Sequence, residues 1–302
     1  MVFPIKVLPV PKPLMIKKMF FSSFFISAFI LGILGLLLSS GCSIKSDMMT
    51  HLSDTIVNND DLSMVEAGAP AYLLMIDSLI SEDPDSKKML STASQLYTAY
   101  ADVFVTDAQR SRKMADKALA YAGKALCLSN KDACGLKAKS FKAFQAIIAS
   151  MDTDDLPYLF ALGNAWASWI MANTNDFNAL ADISRIEVIM LKITQMDESY
   201  RDGAAFLYLG TLATFLPPAL GGKPEQGRHY FERAIELSQG RNLLVKVMFA
   251  KLYARMVFDR PLHDRLLTEV MDTNPVVPGY TLVNTYAQKK ARQLLENADD
   301  YF

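Results

Sequence analysis

The chain has 302 residues, 51% of them hydrophobic, and a formal net charge of −1 at pH 7. That is enough apolar material for one large core or two coupled ones, and the near-balance of charge leaves no basic footprint for nucleic acid. Charge is uneven along the chain: residues 1–42 hold Lys6, Lys12, Lys17 and Lys18 and no acid, so everything beyond them is mildly acidic.

Met1 to Leu14 carries four prolines and no periodicity, which makes Met15 a candidate start. Lys17-Lys18 then forms the basic region of an export signal, Met19 to Leu38 its apolar run, and Ser39-Ser40-Gly41-Cys42 its close. The run is long enough to cross a bilayer, for which about 20 apolar residues suffice. The small residues ending at Cys42 instead resemble the lipobox of bacterial lipoproteins, with Ser39 standing where an aliphatic residue is usual. The resemblance implies a signal peptide over residues 1–41, acylation of Cys42 and a membrane anchor, since each buried CH₂ of an acyl chain contributes about 0.8 kcal/mol. Ser43, rather than Asp, follows the cysteine, as in lipoproteins sent to an outer membrane; the expected location is the cell envelope, facing the periplasm.

Residues 42–63 read as a polar tether, and residues 64–302 as one helical domain. Helical spacing marks Ala71–Ile80, Met89–Phe104, Met114–Leu126 and Phe144–Met151. Tyr158–Ala172 is apolar nearly all round and is followed by the amphipathic Ile183–Met196. The design repeats at Gly203–Gly240: an apolar helix with Phe206, Leu209, Leu212, Phe215 and Leu216, a Pro217-Pro218…Gly221-Gly222 loop, then an amphipathic helix from Glu225 to Leu237. Leu162-Gly163 matches Leu209-Gly210, a tetratricopeptide-like placement of small residues where helices meet, although the loop makes the unit longer than the usual ~34 residues. Leu243–Phe258, Leu262–Met271 and Leu282–Leu295 complete the chain. No strand-like alternation occurs, so the expected fold is all-α: a superhelix of tetratricopeptide-like helical hairpins with degenerate repeats, its two apolar helices inside.

The residues Gly163-Asn164-Ala165-Trp166-Ala167-Ser168-Trp169, the stretch LPPALGGKPEQGRHYFERAIELSQGRNLLVKVMFAKLYARMVFDRPLHDRLL, and Tyr301-Phe302 after Asp299-Asp300 resemble one family. It is the T-component lipoprotein family of tripartite ATP-independent periplasmic (TRAP) transporters, and the likeness covers roughly Val65 to Phe302. It implies a tetratricopeptide-like fold, a lipid anchor and partnership with a periplasmic solute-binding protein, and it brings no catalytic residues.

Read for chemistry, the chain offers little. Cys127 and Cys134 flank a turn between helices, as a disulfide or as two small buried residues; a bridge there would add about 2–3 kcal/mol. His51, His229 and His263 sit in no catalytic or metal-binding spacing, and the last two read as helix-surface residues. Gly221-Gly222-Lys223-Pro224 is a turn rather than a phosphate loop, because Pro224 stands where Ser or Thr would have to be. Arg255, Asp259, Arg260, Asp264 and Arg265 alternate in sign, as an ion-pair cluster or a docking patch. Trp166 and Trp169 share a helix face. They are core packing or, with Asn164 and Phe215, the lining of an apolar site for a hydrophobic small ligand. The expected protein is therefore a non-enzymatic binding and interaction module without cofactor or metal, with a homo-oligomer left open as a further partner. A ligand-free structural adaptor and an envelope hydrolase are the alternatives.

Overall fold

The computed structural model describes residues 51–302, and their compact unit is Ile56–Phe302. Cys42, the apolar run before it and the expected signal peptide lie outside the described residues. Among the described residues the regular elements are helical, with no strand. In chain order they are α1 (Leu62–Glu82), α2 (Lys87–Phe104), α3 (Ala108–Ser129), α4 (Phe141–Ser150), α5 (Leu156–Ala172) and α6 (Phe177–Ala181). There follow α7 (Ile183–Met196), α8 (Ala204–Ala213), α9 (Pro224–Leu237), α10 (Leu243–Met248, running on through a π turn at Phe249–Ala254), α11 (Arg260–Asp272) and α12 (Thr281–Glu296).

Helix begins earlier than the composition suggests. Residues 51–57, expected in the tether, are helical, and α1 opens at Leu62 with the Asp61 carboxylate accepting from the Met64 amide at 2.9 Å. Pro70, immediately before the expected start at Ala71, sits inside α1. A proline there removes the N–H that would bond the Glu66 carbonyl, and the Tyr100 hydroxyl of α2 donates to that oxygen instead, at 3.2 Å. The lost bond is replaced from outside, and the helix continues. By length and composition α1 could cross a bilayer, but it buries Val65, Tyr72, Leu73, Ile76 and Ile80 and packs on α2.

Asp77 pins α1 to its neighbours. Its carboxylate accepts from Tyr97 at 2.6 Å, from Tyr121 at 2.7 Å and from the Lys117 ammonium, so α1, α2 and α3 meet at one anion. Burial alone would raise the Asp77 pKa; the hydrogen bonds from Lys117, Tyr97 and Tyr121 outweigh it and hold the carboxyl below its ordinary range. The cross-link is therefore complete at neutral pH and is lost as pH falls through that depressed value.

At the far end of α3 a seven-residue separation links Cys127 to Cys134 in a disulfide, with Cα atoms 4.5 Å apart. Gly135 follows in the left-handed region (φ 66°), a conformation that suits glycine, and turns the chain towards α4.

Hydrophobic burial organises the helices into two cores. The first draws on α1 to α8, with Phe144, Leu159, Trp166, Ile186, Ile189, Met190 and Ile193 almost wholly enclosed. The second draws on α9 to α12, around Phe231, Phe249, Leu267 and Val270. Phe206 of α8 packs against both. Of the two apolar helices expected inside, α5 buries ten of its residues, whereas α8 buries only Ala205, Leu209 and Gly210. Phe206, Leu207, Tyr208 and Leu212 are half-buried. The expectation of a fully enclosed α8 is corrected here: it packs on α7, α9 and α10 and reaches α5 through Tyr208, yet four of its large side chains stay half-buried.

The two Leu-Gly pairs occupy equivalent close approaches. A Cβ at Gly163 would lie 2.7 Å from Met190 Cε and 2.8 Å from Ile189 Cγ2 on α7; one at Gly210 would lie 2.9 Å from the Phe231 ring on α9. Those neighbours are fully buried, so room for the methyl must come from repacking. Gly163→Ala and Gly210→Ala are each expected to destabilise the protein by about 1–3 kcal/mol through overpacking. Gly123→Ala, whose Cβ would meet nothing within 4 Å, should not. Chemical denaturation of the three variants checks the contrast.

Candidate functional site

Helix α5 carries two different faces, and they separate the four residues expected to line one site. Leu162, Trp166 and Trp169 point to a cavity of 420 Å³ whose other walls come from α3 and from the turn after Cys134, among them Leu119, Leu126, Leu136 and Lys137. Asn164 lies two residues from Trp166, about 200° round the helix, and faces α8, where its Oδ1 accepts from the Tyr208 hydroxyl at 2.5 Å. Phe215 lies beyond the end of α8, half-buried, and does not line the cavity. The tryptophans are thus brought together; Asn164 and Phe215 stand elsewhere.

The two indoles differ in what they can still do. Trp166 is 0% exposed and packs edge-on to Phe144, with centroids 6.0 Å apart. Its N–H donates to Asp182 at 3.1 Å, and Asp182 in turn pairs with Arg185 at 3.1 Å. Trp169 is only half-buried. Its N–H donates to Asp116 at 2.7 Å, and the Lys137 ammonium lies over its ring at 3.2 Å from the centroid, a cation–π contact. Burial lowers the Lys137 pKa, against the opposing pull of Asp182, Asp116 and Asp176. The cavity is accordingly apolar in its depth, with Lys137 and Asp116 as polar groups at its edge; its size falls within the ~300–1,000 Å³ of small-molecule pockets. Nothing in the sequence places Lys137 on Trp169, because only the turn through Gly135 brings the two together.

The opposite face of α5 meets a carboxylate the sequence did not single out. Ser168, one turn from Asn164, donates to Asp102 of α2 at 2.5 Å. Asp102 retains solvent exposure yet has many protein atoms around it. Burial pushes its pKa up to about 6, against the opposing effect of the Ser168 hydrogen bond. The Tyr208 and Tyr286 hydroxyls are pushed up as well, first by burial and then by the Asp102 charge, which ties α2, α8 and α12 into one electrostatic environment. One further reading changes and another holds except at Arg255. His263, expected at the surface, is 0% exposed, with Nδ1 2.8 Å from Asp264 and the Phe302 ring at 5.2 Å. The alternating charges form an ion-pair cluster through Arg260–Asp264, Arg260–Asp299 and Arg265–Glu269, with Asp259 capping α11, but Arg255 stays outside it. Among the described residues no group of three His, Cys, Asp or Glu could hold a metal ion.

The sequence model of the TRAP transporter T-component (TAtT) matches residues 58–302, essentially the whole helical body. The chain belongs to the TRAP transporter T-component family. No curated protein matches it. As a T-component it is part of a transporter, which associates it with the cell envelope and with other TRAP subunits. The match includes α5, α8 and both tryptophans.

A carboxyl whose folded pKa exceeds its ordinary value binds a proton more tightly in the folded state, so its contribution to stability is lost as pH rises through about 4 to 6. Asp102→Asn is therefore expected to stabilise the T-component at pH 7.5, with the gain closing below about pH 5. Thermal denaturation across that range checks it, and a gain that is constant with pH would show that Asp102 titrates normally.

Proposed function

We propose that this T-component is a lipid-anchored periplasmic module that docks the solute-binding subunit of its transporter and holds a hydrophobic small ligand in the Trp166–Trp169 cavity. Family membership over residues 58–302 is the observation that carries the docking reading. Within it, the paired α5–α7 and α8–α9 units support a tetratricopeptide-like superhelix. Each sets an apolar helix against an amphipathic one across a glycine contact. The anchor is acylated Cys42, and the absence of Asp after it favours the outer membrane. A non-enzymatic role fits a family whose transporter part carries no catalytic residues onto this chain.

Trp169 supports the ligand reading, since its half-exposed ring and the cation above it form one wall of an apolar cavity. A ligand-free adaptor is favoured by Trp166 alone, which is fully enclosed and spends its donor on Asp182. The 420 Å³ beside it is a partly open cleft with room for a small ligand.

The docking reading is tested in envelopes solubilised in mild detergent. The full chain is expected to co-purify with a periplasmic solute-binding protein, and Cys42→Ala to leave the membrane fraction while keeping that partner. Repeated recovery of the intact chain without such a partner contradicts the reading.

A further inference from the structure

A second cavity, of 320 Å³, opens between α10 and α12. Its apolar wall is formed by Val247, Met248 and Leu294, and Lys251, Arg255 and Lys290 converge on it; the lining contains no Asp or Glu. The local backbone explains the convergence. Val247, Lys251 and Arg255 are four apart, and in a regular α-helix each such step drifts by about 40°. Here the helix widens into the π turn Phe249–Ala254, in which the Arg255 amide donates to the Ala250 carbonyl five residues back. The wider turn cancels the drift and brings the three residues into line. Turns of this kind are rare and concentrate at functional sites.

No carboxylate lines this groove to balance its charges; the Arg255 guanidinium lies over the Tyr301 ring at 4.7 Å and the Lys290 ammonium over the Tyr286 ring at 5.4 Å. Lys251 and Lys290 form no ion pair among the described residues, and the Arg255 Nη2 makes a single long bond, 3.5 Å, to the Leu294 carbonyl. The Arg255 Nε is buried with no hydrogen-bond partner. Neighbouring arginines are treated otherwise: Arg228, Arg233, Arg260 and Arg265 each hold a carboxylate. Burial, then the charges of Lys290 and Arg255, lower the Lys251 pKa, with no carboxylate opposing them. Asp102 acts on Tyr286 at the groove, as it does on Tyr208. Like charges gathered around a buried, unsatisfied N–H are unfavourable unless an anion completes them. The adjoining wall is apolar, so the anion must carry an apolar body, and 320 Å³ sits at the small end of ligand pockets.

We propose that this groove binds a small amphiphilic carboxylate, its head group among Lys251, Arg255 and Lys290 and its hydrocarbon along Val247, Met248 and Leu294. The site needs only the helical body, so it stands or falls independently of partner docking and of the Trp166–Trp169 cavity.

Isothermal titration of the full chain in a neutral maltoside detergent, with protein-free micelles as blank, tests it using octanoate, octanol and acetate. Octanoate should bind saturably, with octanol and acetate each at least about tenfold weaker. Lys251→Met and Lys290→Met, which keep most of the side-chain stem, should each weaken octanoate about tenfold and leave octanol unchanged, with circular dichroism confirming an intact fold. Octanol binding as tightly as octanoate, or octanoate binding unaffected by both variants, overturns the proposal. So does absence of octanoate binding in a protein whose association with phosphatidylglycerol vesicles falls in the same variants. That last result assigns the cations to a membrane surface.

Discussion

The structure depends on how closely helix backbones approach at two glycines. Gly163 sets α5 against Ile189 and Met190, and Gly210 sets α8 against Phe231, each so tightly that a single methyl would overlap buried side chains. Dispersion and apolar burial at these contacts are strong because nothing stands between the helices. The first contact fixes the interior of the larger core. The second joins that core to the smaller one through α8, whose Phe206 touches both. Because α8 is held by its glycine face, it need not be enclosed all round, and Leu207 and Leu212 stay half-open while Tyr208 reaches Asn164 of α5. A helix apolar all round need not be buried all round when one face alone supplies the binding contact.

Polar groups inside this helical body follow a consistent logic. Asp77 is satisfied by three donors and cross-links three helices, and Asp182 by an indole and a guanidinium. Asp102, with one hydroxyl donor and a crowded setting, is pushed the other way, towards its neutral form. The groove between α10 and α12 differs, with three cations and no carboxylate in its lining and the Arg255 Nε among the few buried polar atoms left without a partner. Such an arrangement is the one that the proposed carboxylate would complete.

Much of this was legible in the sequence because apolar periodicity reports directly on helices. The reading of Ile183–Met196 coincides with the observed element, and α5, α9, α11 and α12 differ from theirs by only a few residues. What escaped was decided by contacts distant in sequence. Pro70 fails to break α1 because a hydroxyl thirty-four residues away replaces its bond. His263 is enclosed because the chain's last residue folds over it. The π turn in α10 leaves no local sequence mark, yet it aligns Lys251 with Arg255. For the candidate site, the spacing of Trp166 and Trp169 was enough to place them together; Asn164 was grouped with them against the helical period, and Lys137, Asp116 and Asp102 could be found only in three dimensions.

The central claim is that α8 welds two cores into one cooperative body. Native-state hydrogen exchange measures it directly, through the opening free energies of amides in α5, α8 and α9 at increasing denaturant. A weld predicts that the slowest amides of all three helices converge on one global opening. If α8 and α9 instead open together at markedly lower free energy while α5 stays protected, the two cores are separate and the glycine contact at Phe231 does not hold them.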